Sequence, residues 1–280
     1  MIRLGGHGVP VGPDDPVAFA RAHRAFGYSA AYCPPADLSD SARLRAIETA
    51  FAAEDVVLAE VGIWRNLLAV EPDRQAAHLD HARTCLALAE ETGTLCAVSY
   101  IGSFAPGTDY APHPDNLGPR AFEATVETVR GIIDAVKPRR AKFALEMMQY
   151  NLPDSIASYE ALINAIDRPA FAVHLDPVNL IMTPRRYYDS GAFVAACFDR
   201  LGDHVVSCHL KDIVLHHQAA LHLDEVMVGD GGFDIAAMLR AAAALPRDIP
   251  VMLEHLEASE YATARDRVQE IARAEGVTLR

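Results

Sequence analysis

Four short apolar runs in the second half of the chain each end in a side chain able to bind a metal or move a proton. KFALE closes on Glu146, FAVHLDPVN carries His174 and Asp176, VVSCHLKD presents His209 and Lys211, and PVMLE closes on Glu254. Runs this short and this rich in β-formers read as buried strands. Side chains alternate along a strand, so Glu146 shares a face with Ala144, Asp176 with His174, His209 with Ser207 and Lys211, and Glu254 with Met252. Pro177 ends its run and frees Asp176 at the tip. A lone strand-end glutamate is ordinarily an ion-pair partner, but four candidate ligands at the same end of successive strands imply a site. Three carboxylates in one mouth cannot all stay ionised without a cation. With one imidazole and room for water they suit Mn²⁺ first, then Mg²⁺ or Co²⁺, rather than a closed structural zinc. Glu146, Asp176, His209 and Glu254 are the expected ligands of one divalent ion.

These runs belong to an alternation that fills the chain. Ahead of them lie strands at 2–5, YSAAY, VVLAEV and LCAVSY, and each of the eight strands is followed by a helical pattern. Asp14 and Asp15 before Pro16 read as a helix start, as does Ser39 further on. Gly27 and Gly93 read as helix stops. The helix after FAVHLDPVN is expected over about 187–201, and the last over about 258–275. Two long loops stand out: IGSFAPGTDYAPHPDNLGPR after the fourth strand, and the stretch to VGDGGFD after the seventh. Alternating strands and helices imply a parallel sheet, and eight units in 280 residues imply one closed (β/α)8 barrel spanning 1–280, its site at the C-terminal strand ends. An open doubly wound sheet would want a glycine-rich phosphate turn after the first strand, which GGHG only approaches.

Other side chains fall at strand ends or in the loops above them: His7, Glu60, Trp64, His113 and Asn179 are candidate substrate contacts. Trp64, the single tryptophan, offers a wall for a sugar ring or a packing role under a loop. Lys211 either holds a substrate oxygen or pairs with Asp212 or Glu225. His174, one inward step below Asp176, reads as a hydrogen-bonded core histidine. His216, His217 and His222 read as solvated loop residues. The net charge of −13 argues against a nucleic-acid partner and against an anionic membrane surface. The segment MIRLGGHGVP has no long apolar stretch, so no signal peptide is expected. The five cysteines form no C-x-x-C pair and are expected as reduced, buried thiols in a cytoplasmic protein.

FALEMM, HLDPVN, SCHLKD, VGDGGFD and MLEHLE, in this eight-unit order, resemble the xylose isomerase-like TIM barrel superfamily, in particular its sugar phosphate isomerase/epimerase branch. The resemblance covers essentially the whole chain. It implies that Glu146, Asp176, His209 and Glu254 bind one divalent metal, and that Glu146 and Glu254 form the acid/base pair, one on each face of the substrate. Ketose 3-epimerases carry a histidine where Asn179 stands, and a substrate-binding arginine after the metal histidine that has no counterpart here. Lys211 in HLKD follows a pattern associated with inosose and dehydroshikimate dehydratases. The expected reaction is therefore isomerisation or epimerisation of a small keto sugar or polyol through an enediolate. A dehydratase is the alternative, and a non-catalytic sugar-binding barrel is the reading from another class. A nuclease of the endonuclease IV type would need further metal-binding histidines and a basic face. Association of copies into a homo-oligomer is compatible with all of these readings.

Overall fold

The computed structural model describes residues 1–280. In chain order the elements are β1 (Ile2–Gly5), α1 (Pro16–Phe26), β2 (Ala30–Tyr32), α2 (Ser41–Ala53), β3 (Val57–Gly62), α3 (Pro72–Thr92), β4 (Cys96–Ser99), α4 (Pro119–Val136), β5 (Lys142–Glu146), α5 (Ile156–Ile166), β6 (Phe171–Leu175), α6 (Pro184–Tyr188), α7 (Ser190–Leu201), β7 (Val205–Leu210), β8 (Asp212–Leu215), β9 (Leu223–Val226), α8 (Ile235–Ala243), β10 (Ile249–Leu253) and α9 (Tyr261–Ala274). Eight strands pair in parallel in the order β1-β10-β7-β6-β5-β4-β3-β2. The amide of Ser29, just before β2, donates to the Leu4 carbonyl of β1 at 2.9 Å, which brings the two edges together and nearly closes a TIM barrel.

The helix signals act largely as read. Asp15 caps α1 by accepting from the amides of Val17 and Ala18, and Gly27 and Gly93 end their helices in the left-handed conformation. Ser39 does not cap α2. It is held in a turn by Asp37, and Asp40 caps the helix by accepting from Arg43. The helix expected over 187–201 divides at Asp189 into α6 and α7. The seventh loop is not irregular: Asp212–Leu215 and Leu223–Val226 form an antiparallel hairpin above the barrel. All five cysteines are free thiols, four of them buried.

The outward faces of the strands bury Leu4, Phe143, Leu145, Val173, Cys208, Leu210 and Leu253 under the helices. Each large apolar side chain so buried contributes roughly 1.5–3 kcal/mol. The inward face is filled by smaller groups, Ala30, Ala59, Cys96, Val98 and Ala144, with Met252. That leaves room higher in the barrel for polar side chains.

Two irregularities aim those side chains. Tyr32 pairs with Glu60 although Ala31 pairs with Leu58, so Ala59 is an extra residue in β3. Leu58 packs outward on the helices. Strict alternation would send Glu60 the same way, and the bulge turns it inward. In β7, Val206 is the extra residue between Val205 and Ser207, and it sets Ser207, His209 and Lys211 on the inner face.

Candidate metal centre

Glu146 ends β5, Asp176 follows β6, His209 lies in β7 and Glu254 follows β10, so neighbouring strands deliver all four to the C-terminal mouth. One ligand atom from each lies within 4.8 Å of every other. His209 Nδ1 is 2.7 Å from Glu146 Oε1 and 2.9 Å from Glu254 Oε2. Lys211 Nζ is 2.5 Å from Glu254 Oε1 and 2.7 Å from Asp176 Oδ2. The second of these contacts is an ion pair off the hydrogen-bonding line, for Asp176 Oδ2 is buried with no hydrogen-bond partner. A buried carboxylate oxygen with no hydrogen bond, met by an ammonium alone, beside two more carboxylates and an imidazole fits a divalent cation.

The electrostatics of the metal-free site tell the same story. Burial, reinforced by Glu254 and Glu146 and only partly offset by Lys211, pushes Asp176 up to about 8. Burial also opposes ionisation of Glu254, yet His209 and Lys211 outweigh it and hold this carboxyl well below the usual range. Burial disfavours charge on His209 and Lys211, but the surrounding carboxylates raise both well above their ordinary values. Without a metal, protons and one ammonium do the neutralising.

Glu60 lies below this ring, fully buried. Its Oε2 is 3.2 Å from His209 Nε2, its Oε1 is 3.0 Å from His174 Nε2, and Ser207 Oγ donates to the same Oε1. Burial opposes its ionisation, but the two imidazoles hold it well below the carboxylate range. With Nε2–H donating to Glu60, His209 faces the other three ligands with Nδ1, which pairs with Glu146 and Glu254 in the metal-free site and would offer a lone pair once its proton is displaced by a metal. Glu60 therefore meets the metal cluster from the floor, and His174 is the core histidine that braces it.

Trp64 stands above, its ring centroid 6.0 Å from that of His209 and 5.9 Å from that of Tyr100. Its indole approaches Gly62 closely, and a Cβ there would come within 2.3 Å of Trp64 Nε1. Asn179 takes its place through its amide, which donates to Asp176 Oδ1 at 3.3 Å, and through its side chain, which donates to the Met147 carbonyl at 3.2 Å. His7 stacks on Tyr32 at 4.3 Å near the rim, and desolvation there lowers its pKa. His113 is not brought to the cluster: it caps the short 3-10 turn Pro114–Leu117 and packs edgewise on Phe104. Lys211 pairs with ligand carboxylates and lies 3.6 Å from Glu225, whereas Asp212 accepts from the amides of Ile213, Gly229, Gly231 and Phe233 and ties down VGDGGFD.

Some contributors carried no sequence signal. Asn66 anchors the fourth loop, donating to the carbonyls of Ser103 and Thr108 and accepting from the amides of Leu68 and Ser103. Gly102 has φ +106°, and a Cβ there would lie 2.0 Å from Asn66 Oδ1. Glu225 of β9 bonds His255 at 2.8 Å. With Lys211 and Glu254 these two line a recess of about 170 Å³, and a second cleft of about 380 Å³ runs between Tyr150, Asn179, Leu223 and Glu225.

The profile of the xylose isomerase-like TIM barrel family matches residues 6–275, and the chain belongs to that family. No curated protein sequence matches it. Among the solved structures similar to this chain over nearly their whole length are the following three. A xylose isomerase-like TIM barrel protein from Mycobacterium smegmatis in complex with magnesium is 18% identical, with TM-score 0.66, covering 98% of this chain and 97% of that one. The 3-keto-D-glucoside 4-epimerase of E. coli is 13% identical, with TM-score 0.67, covering 96% and 100%. Endonuclease IV from Thermus thermophilus is 14% identical, with TM-score 0.71, covering 97% and 99%. At these identities the likeness is one of fold. No helix of the chain is long and apolar enough to cross a membrane.

Proposed function

We propose that the chain is a divalent-metal-dependent isomerase or epimerase of a small keto sugar or polyol derivative, working as one barrel domain over residues 1–280. The observation that carries this reading is the convergence of Glu146, Asp176, His209 and Glu254 around Asp176 Oδ2, an oxygen buried without a hydrogen-bond partner. These four residues would hold the ion. A divalent ion there supplies Lewis acidity that favours loss of a proton from a carbon next to a carbonyl. Glu146 and Glu254 approach His209 Nδ1 from separate strands, so one carboxylate can take a proton from carbon while the other returns it. Trp64 offers its face to the substrate, and Asn179 and Lys211 reach its oxygens. His7 and the fourth loop with His113 close the rim against water. The epimerase among the fold neighbours supports sugar chemistry, and the net charge of −13 weighs against a phosphodiester of DNA.

A dehydratase is the second reading, favoured by one contact. Lys211 Nζ lies 2.5 Å from Glu254 Oε1, an ammonium placed to protonate a departing hydroxyl. Incubation of keto sugars, their phosphates and cyclic ketoses with the Mn²⁺-loaded protein in D₂O separates the readings by proton NMR. Deuterium entering carbon with an isomeric product supports the isomerase or epimerase. Deuterium entering with loss of water supports the dehydratase. Hydrolysis of a phosphodiester without change at any carbon-bound hydrogen would overturn both.

A further inference from the structure

The hairpin above the barrel carries a second group of metal-capable side chains. Leu215 pairs with Leu223, and the amide of His216 donates to the His222 carbonyl at 2.9 Å. His216 and His222 therefore face each other at the open end of the hairpin, and Asp224 lies on the same face two residues along. His216 Nε2 is 2.9 Å from Asp224 Oδ2, and His222 Nε2 is 3.2 Å from Asp224 Oδ1. The two imidazole centroids are 5.3 Å apart. One ligand atom from each residue lies within 4.8 Å of the others. His216 Nε2 is shielded from solvent yet makes no hydrogen bond, because the nearby carboxylate oxygen lies off its bonding line.

Two imidazoles and one carboxylate, with the remaining positions open to water, are the donor set of an open three-ligand zinc site. Imidazole favours Zn²⁺, Co²⁺, Ni²⁺ and Cu²⁺ over Mg²⁺ and Mn²⁺, which separates this group from the oxygen-rich barrel cluster. We propose that His216, His222 and Asp224 form a second divalent-cation site, of zinc type, that pins the open end of the β8–β9 hairpin. The site bears on the barrel mouth through the opposite face of the same strand. Glu225, next to Asp224, bonds His255 and approaches Lys211, and Leu221 and Leu223 wall the larger cleft. An ion joining the two strands stiffens that wall. This site does not depend on the reaction proposed for the barrel.

The test is zinc stoichiometry on untagged, full-length protein stripped with chelator, by equilibrium dialysis and elemental analysis. Wild type should bind one zinc per chain more than His216→Ala/His222→Ala. Asp224→Asn should weaken that ion at least tenfold, and Asp176→Asn should keep it. Cu²⁺ loaded into the Asp176→Asn protein should show an electron paramagnetic resonance spectrum with two coupled imidazole nitrogens, lost in Asp176→Asn/His222→Ala. Equal zinc counts in wild type and the double variant would overturn the proposal. So would loss of the extra ion in Asp176→Asn with retention in Asp224→Asn, since all bound zinc would then belong to the barrel. Asp224→Asn, nearly isosteric and exposed, decides the matter should the double alanine variant fail to fold.

Discussion

Lys211→Met is the perturbation on which the electrostatic account of the site turns. In the metal-free protein the Lys211 ammonium bridges Asp176 and Glu254 at 2.7 and 2.5 Å, on a side chain only 4% exposed. Removing one member of a buried ion pair typically costs 3–5 kcal/mol. Here the cost falls at the low end of that range, because Asp176, pushed up to about 8, is already largely protonated at neutral pH and Glu254 is the carboxylate that loses its counter-charge. A net loss of about 3 kcal/mol is expected, and at about 2–3 °C per kcal/mol for a chain of this size the apo melting temperature should fall by about 6–9 °C. The metal responds with the opposite sign. The ammonium competes with the ion for the same two oxygens, so the variant should bind Mn²⁺ more tightly, by roughly tenfold to a hundredfold at about 1.4 kcal/mol per decade. Calorimetric melts with chelator and across a Mn²⁺ titration measure both quantities. An apo variant that melts with wild type, or one that binds Mn²⁺ more weakly, would refute the reasoning.

Asp176 gains a proton in the metal-free fold, and an ion must displace it. Mn²⁺ affinity should therefore rise with pH through about 8 as Asp176 and the His209 imidazolium give up their protons, and Asp176→Asn should both weaken binding and make that slope shallower in pH-dependent titrations. Glu254→Gln should cut turnover by about a hundredfold to ten-thousandfold on the substrate found by the D₂O screen, while the protein still folds; near wild-type turnover would leave this glutamate as a ligand only. Asn66→Ala strips four hydrogen bonds, three of them to the buried base of the fourth loop. It should cost about 2–3 kcal/mol and speed hydrogen exchange over residues 101–118 ahead of the barrel strands; unchanged exchange there would show that the loop is held by something else.

The barrel and the neighbourhood of its four strand ends were legible in the sequence because each strand carried its own signal: a short apolar run, a polar terminus and a following helix. Alternation alone placed Ala144 with Glu146 and Met252 with Glu254, since β5 and β10 are regular. It could not place Glu60, because the bulge at Ala59 reverses the parity that Leu58 sets, and nothing in LAEVG announces an extra residue. The β8–β9 hairpin hid for a related reason. The residues after VVSCHLKD read as one long loop, because IVL is too short a run to stand apart from the strand before it and the connecting stretch between His216 and His222 has no asparagine–glycine turn. Of the partners read for Lys211, Glu225 lies 3.6 Å away and Asp212 does not pair with it, whereas its two closest partners, Asp176 and Glu254, follow β6 and β10 and meet it only through the closed barrel. His113 looked useful by its place in a long loop, and that loop folds so that the histidine caps a turn.

One ion in the barrel mouth is central to the proposed chemistry, and an anomalous difference map at the manganese edge from crystals of the Mn²⁺-loaded protein tests for it most directly. The predicted result is a single strong peak within about 2.0–2.4 Å of oxygens from Glu146, Asp176 and Glu254 and of His209 Nδ1, with Lys211 Nζ drawn away from Asp176. A map with no peak there, in crystals whose Mn²⁺ lies elsewhere or is absent, would contradict it.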